Sequence, residues 1–364
     1  MGNILTVNFM KKLYIIVISF LLIGCSKSKV IPIDSNKTTI VNLIAVGDNL
    51  IHDSVYEAAA IDDTFNFKPM LIEIKPYIKK YDLAFINQET ILGGKEIGLS
   101  TYPCFNSPHE LGDALVDAGF NLISIANNHT LDRGEKAIIN SIDYWETQDV
   151  IFSGALKEDI SQVRVFTKKD ITFGYVAYTY GTNGIVHPKG KEYLANVYSN
   201  SKAKADLENL DVDFKIVSMH WGNEYELYPS NMQKEQAKFL AGLGVDVIIG
   251  HHPHVIQPVD MIENNDHKTF VIYSLGNFLS DQKGIDRLIG MAVSFNIVKE
   301  TTNNNHKVYI KDLKANLLYR HKYNNYFNIK MFINLNNDIL YDYQRLYNEK
   351  KALITTYYKD IEVT

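Results

Sequence analysis

Seven apolar stretches of this chain each stop abruptly on residues that bind metals or carry protons. Residues 41–48 end on Asp48, 82–89 on Glu89, and 121–129 on Asn128 and His129. Residues 214–220 end on His220, and 245–254 close on His251, His252 and His254. Residues 175–180 run into Gly-Thr-Asn-Gly, and residues 269–276 run into Asn277. Short β-branched apolar runs closed by Gly, Asn or Asp read as buried strands. Between them, residues 68–79, 108–119, 134–147 and 233–243 have helical patterning. That alternation argues for an α/β fold, parallel sheet with helices outside. In the second helix Ser107 is the expected N-cap, Pro108 opens the first turn and Gly119 is the stop. In open α/β sheets ligands bind beyond the carboxyl ends of the strands, so one rim should collect the polar chemistry.

Taken singly, the rim residues say little. Gly47 before Asp48 reads as a glycine that lets the backbone turn, and Glu89 alone reads as a solvated strand end. Asn127, Asn128 and His129 crowd amide and imidazole groups together, which a ligand would explain. Gly222 after His220 leaves space before the imidazole, and His252 and His254 flank Pro253 on a stiff loop. Imidazole with carboxylate and amide oxygen suits Zn, Mn, Fe or Ni, and the lack of thiolate argues against a structural zinc knot. Together the strand ends point to a metal site. Cys104 reads as a packed small hydrophobe.

A chain of 364 residues, 46% hydrophobic, can bury the core of one large domain or two smaller ones. Its net charge of −5 and lack of a basic tract exclude nucleic acid as the natural partner. At the start, Met-Lys-Lys precedes an 11-residue apolar run, which is short for a membrane span and long enough for a signal-peptide core. Leu-Ile-Gly-Cys then resembles the bacterial lipoprotein signal. Residues 1–24 are accordingly a signal peptide, Cys25 the lipidated residue, and 25–38 a polar tether. This places the protein in the bacterial cell envelope, on the extracytoplasmic face of a membrane; a plain N-terminal anchor or a buried Cys25 is the alternative. After residue 281, two strand-like runs flank Thr-Thr-Asn-Asn-Asn, a hairpin signal. A terminal amphipathic helix covers 338–359, so residues 299–364 form a β-hairpin and helical extension packing on a main domain of residues 39–298.

The motifs Val-Gly-Asp-Asn-Leu-Ile-His (46–52), Asn-Gln-Glu (87–89) and Ala-Asn-Asn-His-Thr-Leu-Asp-Arg-Gly (126–134) occur in this order with His-Trp-Gly-Asn-Glu-Tyr (220–225), Gly-His-His-Pro-His (250–254) and Tyr-Ser-Leu-Gly-Asn-Phe (273–278). Together they resemble the CapA-type poly-γ-glutamate capsule synthesis proteins of the calcineurin-like metallophosphoesterase superfamily. The resemblance implies a four-layer α-β-β-α sandwich of the metallo-dependent phosphatase type. It implies Asp48, Glu89, Asn128, His220, His252 and His254 as metal ligands for one or two ions of Mn, Zn or Fe. His129 would protonate the leaving group, with Asp132 orienting it. Candidate pocket residues are His52, Asn87, His251, Glu224 and Asn277. Two departures stand out: the superfamily's Asp-x-His opening is Asp48-Asn-Leu here, with His52 four residues on, and the bridging Asp is Glu89. The implied activity is hydrolysis of a phosphoester-like bond in an anionic polymer or phosphorylated substrate, beside a membrane-bound polymer synthase. The alternative is a non-catalytic polymer-binding or scaffold subunit. A solute-binding lipoprotein would instead need two lobes and a cleft of neutral polar groups.

Overall fold

The computed structural model describes residues 37–302 and 305–364. The expected signal peptide, Cys25 and residues 25–36 of the expected tether lie outside the described residues. The chain opens on strand β1 (Lys37–Leu50), helix α1 (Asp53–Ala59) and a ribbon of β2 (Ala60–Ile61) and β3 (Thr64–Phe65). Helix α2 (Lys75–Ile78) leads to β4 (Leu83–Gln88), α3 (Glu110–Ala118), β5 (Leu122–Ser124), α4 (Gly134–Glu146) and β6 (Ile151–Ser153). A second series follows with β7 (Arg164–Lys168), β8 (Ile171–Thr179), α5 (Asn200–Leu207), β9 (Phe214–His220) and α6 (Asn231–Gly242). It continues through β10 (Val247–His251), β11 (Val259–Asn264) and β12 (His267–Ile272). The remainder is β13 (Asn277–Ser280), α7 (Ile285–Leu288), β14 (Ile289–Thr302), β15 (Asn305–Tyr323), β16 (Tyr326–Met331), α8 (Tyr343–Ile354) and β17 (Glu362–Val363).

Two large sheets result. One runs β16-β15-β14-β1-β4-β5-β6, with β13 also beside β1 and β17 beside β15; the other runs β11-β12-β10-β9-β8-β7. Strands β1, β4, β5 and β6 are parallel, and so are β8, β9, β10 and β12. Alternate residues choose a side, as the strand period of two requires. Val41, Leu43, Leu83 and Phe85 share a core with Phe173, Tyr175, Ile216 and Ile249 of the other sheet. Ile44, Val46, Ala84 and Ile86 pack instead with Leu111, Leu115, Ile138 and Trp145 of α3 and α4. Val176, Val217 and Ile248 pack with Ala203 and Leu207 of α5 and Ala237 and Leu240 of α6. The protein is therefore a four-layer α-β-β-α sandwich. Both faces of each central strand are covered, which explains why these runs read as nearly continuous apolar sequence.

Several local details differ from the sequence reading. Residues 68–79 are not one helix but a 3₁₀ turn at Lys68–Leu71 followed by α2. Pro69 and Pro76 each sit in a first turn, and a proline inside a continuous helix would clash with the turn before it. Ser107 does not cap α3; its hydroxyl bonds Thr90 Oγ1 at 2.8 Å, and the helix starts at Glu110. Gly119 does end that helix, at φ 109°. Helix α6 starts earlier than expected because Ser230 and Gln233 form a reciprocal capping box. Cys104 is exposed rather than packed. Strand β14 runs unbroken across residue 298 and pairs with β1 from Ala45↔Val293 to Lys37↔Thr301. The expected boundary at residue 298 therefore falls inside a long strand with an exposed face. Among the described residues, no helix is long and apolar enough to cross a membrane.

Candidate metal centre

Strand pairing sets the rim in register. Asp48 lies beside Asn87 and Asn87 beside Ser124, while across the gap Thr179, His220 and His251 form a second row. Gly47 works by close approach rather than by turning: a Cβ there would sit 1.8 Å from the Gly276 carbonyl oxygen. That contact lets the Asp48 amide donate to Gly276 at 2.9 Å, and the ladder shifts register just after it. Gly222 likewise does not open space before His220; at φ 85° it packs against Gln233 of α6. After β10 the chain passes through His252 at φ 97° and His254 at φ 59°. Such conformations cost a non-glycine residue about 1–3 kcal/mol and persist where a site demands them.

Five of the expected ligands converge. Glu89, His252 and His254 offer ligand atoms within 4.8 Å of one another, and so do Asp48, Glu89 and His220. Glu89 belongs to both sets, which is where a bridging carboxylate would stand. Asn128 joins them, its Oδ1 lying 2.9 Å from His220 Nε2. With metal–ligand distances of about 2.0–2.2 Å, neighbouring ligands of one cation also sit about 3 Å apart.

The fit to a cation rests on Glu89. It is fully buried, and neither carboxylate oxygen has a hydrogen-bond partner among the described residues. The nearest imidazole nitrogens, on His254 and His220, are 3.6 and 3.8 Å away, too far for hydrogen bonds. His252 Nδ1 is also buried and unpaired. A buried carboxylate without a partner costs several kcal/mol, and a bound cation removes that cost. Asp48, by contrast, is tied down: Asn87 donates to its Oδ1 at 2.9 Å and His254 Nδ1 to its Oδ2 at 3.1 Å. With its Nδ1 so engaged, His254 keeps Nε2 for the Glu89 side.

Electrostatics divide the cluster. Burial drives the Glu89 carboxyl well above the usual range, only partly offset by His254. Burial opposes ionisation of Asp48 as well, but the His254 hydrogen bond and charge hold it below its usual value. For His254 burial works against the charge, yet Glu89 and Asp48 outweigh it and raise it to about 9. Burial lowers His252 to about 3 and takes His220 far below the ordinary imidazole range, reinforced by neighbouring histidines. Two neutral imidazoles therefore stand ready as ligands, and His254 must release a proton to join them.

The remaining predicted residues divide between the centre and its surroundings. His129 Nδ1 lies 2.7 Å from Asp132 Oδ2, which also accepts the Phe105 amide at 2.7 Å. Phe105 packs edge-on to the His129 ring at 4.7 Å. Asn87 bridges towards His220, and Asn277 Oδ1 sits 3.1 Å from His254 Nδ1. Glu224 is exposed at the mouth, close enough for its charge to act on Glu89 and His254. His52 does not replace the missing histidine of the first motif. Its Nδ1 accepts the Asp281 amide at 3.2 Å, and the residue belongs to neither ligand set. His251 is not a pocket residue: it is fully buried, bonded to Ser218 Oγ at 2.8 Å and stacked on Phe85. From sequence alone, Trp221 and Tyr225 suit a pocket wall and a core equally. Trp221 is core, its indole donating to the Tyr273 carbonyl at 2.9 Å, whereas Tyr225 stands 44% exposed beside His254. Tyr180, its ring 4.8 Å from that of His252, and Asn183, 3.2 Å from Asn128, escape the sequence reading. The polar loop after β8 is their only signal.

Similarity to known proteins follows the same segment. Residues 42–282, about two thirds of the chain, match the profile of the family described as "Bacterial capsule synthesis protein PGA_cap". Capsule biosynthesis protein CapA of Bacillus anthracis is 29% identical over 276 residues, covering 70% of this chain and 63% of that protein. The chain thus spans less than two thirds of that relative's length. PGA biosynthesis protein CapA of Bacillus subtilis is 26% identical over 285 residues, covering 74% of this chain and 70% of its own. Among solved structures, a hypothetical protein from Thermus thermophilus shares 13% identity at a TM-score of 0.41, over 74% of this chain and 98% of that one. Zinc-complexed Vps29 from Entamoeba histolytica shares 12% at a TM-score of 0.26, over the same shares.

Proposed function

The chain belongs to the bacterial capsule synthesis family PGA_cap, and on that premise we propose a metal-dependent hydrolase that cleaves a phosphoester-like bond during synthesis or export of a poly-γ-glutamate capsule. The observation that carries this reading is Glu89, a fully buried carboxylate with both oxygens unpaired, shared by two sets of metal-ligand atoms. Asp48, Glu89, Asn128, His220, His252 and His254 would hold one or two divalent ions of Mn, Zn or Fe. Such a cation polarises a phosphoryl oxygen and makes a water nucleophilic at neutral pH. The chain's own contribution is to place a proton. Water adds to phosphorus and gives up a proton to solvent, the bond to the leaving oxygen breaks, and His129 donates a proton to that oxygen. Asp132, at 2.7 Å from Nδ1, engages that nitrogen and keeps the ring oriented. Tyr180 and Tyr225 flank the histidines.

The same proposal includes a lipidated Cys25 that tethers the protein to the extracytoplasmic face of a membrane, near a membrane-bound polymer synthase. A second reading, a non-catalytic polymer-binding or scaffold subunit, is favoured by one feature: His52 is turned away, so the first motif supplies one ligand where the superfamily has two. The test is metal analysis of the purified protein with a phosphodiester assay across Mn, Zn and Mg. Roughly stoichiometric metal and metal-dependent cleavage are expected, both lost in a folded His252→Ala, His254→Ala double variant. Metal without cleavage would favour the scaffold. A folded protein that takes up no metal would overturn the hydrolase.

A further inference from the structure

One loop at the mouth of the centre keeps its charges in pairs, with a single exception. Lys283, Lys322 and Arg320 gather on Asp281 at 2.6, 2.9 and 3.6 Å, and Lys350 holds Asp286 at 2.6 Å. Arg287 of α7, half-buried, is the cation of this loop that has no carboxylate partner among the described residues. Its guanidinium stacks on the Tyr225 ring, 4.5 Å from the centroid, and rests on Gly284, where a Cβ would stand 3.0 Å from Nη2. A cation–π contact of this kind restrains the guanidinium, which has no carboxylate partner among the described residues.

Two short routes tie Arg287 to the centre. The Tyr225 ring lies 6.2 Å from the His254 ring. The Arg287 carbonyl accepts Asn277 Nδ2 at 3.1 Å, and Asn277 Oδ1 lies 3.1 Å from His254 Nδ1. Tyr225 takes φ 67°, a left-handed conformation that a tyrosine rarely adopts, and it carries the ring under the guanidinium.

We propose that Arg287 is a substrate-positioning residue whose guanidinium takes an oxyanion, carboxylate or phosphate, lying one group away from the bond that is cleaved. This rests on the hydrolase reading above and narrows it: the centre takes a ligand with at least two anionic groups, not an isolated ester. A planar oxyanion accepts two parallel N–H donors from arginine, and lysine cannot reproduce that geometry.

The experiment titrates the Mn-loaded full chain by calorimetry with tetra-γ-glutamate and, separately, with inorganic phosphate. Arg287→Ala should weaken the recognised probe roughly 10–100-fold, with metal content unchanged, and Arg287→Lys should restore only part. Arg287→Gln, of similar reach, covers the case in which the alanine variant fails to fold. Loss confined to the peptide identifies a carboxylate, and loss confined to phosphate identifies a phosphoryl group. Variants that bind like the parent, or a parent that binds neither probe, would overturn the proposal. Metal content is read independently: a parent without metal would sink the hydrolase reading while leaving any Arg287-dependent affinity standing.

Discussion

The two ends of the sandwich carry the same residue types and treat them oppositely. At the amino ends, Asp82, Asn121, Asp213 and Asp246 each stand one residue before a parallel strand. Each accepts a backbone N–H from the neighbouring strand: Asn42 at 3.0 Å, Ala84 at 2.9 Å, Thr172 at 2.8 Å and Lys215 at 2.6 Å. Lys169 then pairs with Asp82 at 2.7 Å and Lys299 with Asp213 at 2.6 Å. At the carboxyl ends Glu89 has no hydrogen-bond partner, and one nitrogen of His252 has none. One end is stitched; the other leaves donors and acceptors unmet. Residue type alone does not mark a functional site. A buried carboxylate with both oxygens unmet beside buried imidazoles is the stronger mark.

The sharpest way to break this contrast is to remove chemistry without removing structure. His129→Ala should lower kcat of metal-dependent phosphodiester cleavage by roughly 10²–10⁴-fold at unchanged metal content. An unchanged kcat would remove His129 from the reaction. Asp132→Asn, which spoils only the orientation of that ring, should cost about 10–100-fold in the same assay. At the opposite end Asp213→Ala should lower unfolding free energy by about 1–3 kcal/mol and leave metal content alone, since it strands the Thr172 amide and Lys299. Denaturant melts read this directly, and a loss of metal there would erase the distinction between the ends. Glu89→Gln should do the reverse, raising the stability of the metal-free protein by about 1 kcal/mol while weakening metal uptake.

The smallest expected effect is the pH profile of the metal-free protein. His254, raised to about 9 by Glu89 and Asp48 against burial, contributes stability that is full below its ordinary 6.5 and is lost as pH rises through 9. His252 and His251, lowered by burial to about 3 and about 4, act the other way, and stability falls as pH drops below 6.5. Thermal melts without metal should therefore peak near that value. Metal uptake at neutral pH should release protons, from His254 and from Glu89, whose carboxyl burial holds well above the usual range, measurable by calorimetry in buffers of different ionisation enthalpy.

Much of this arrangement is legible in the sequence because it is local. Asp48, His220 and the paired His252 and His254 stand at or just past the ends of apolar runs, and strand period with strand direction sends them to one rim. What is not legible depends on distant chain segments. Gly47 reads as a turn until the carbonyl of Gly276 is seen against it. His52 and His251 have the right residue type, but Asp281 and Ser218, far off in sequence, hold them elsewhere. The paired aspartates of the amino ends and the unpaired Arg287 look alike in a string of letters, since pairing is a tertiary property. The far half of strand β14 reads as an appendage because it is polar and exposed, while its partner β1 lies some 250 residues earlier.

Everything rests on a buried pocket that wants positive charge around one carboxylate. Crystals soaked in manganese and examined by anomalous scattering would address it directly. A strong peak is expected within bonding distance of Glu89 and of nitrogens from His220, His252 or His254. Clean density showing ordered waters on both Glu89 oxygens, with no anomalous signal there, would contradict it.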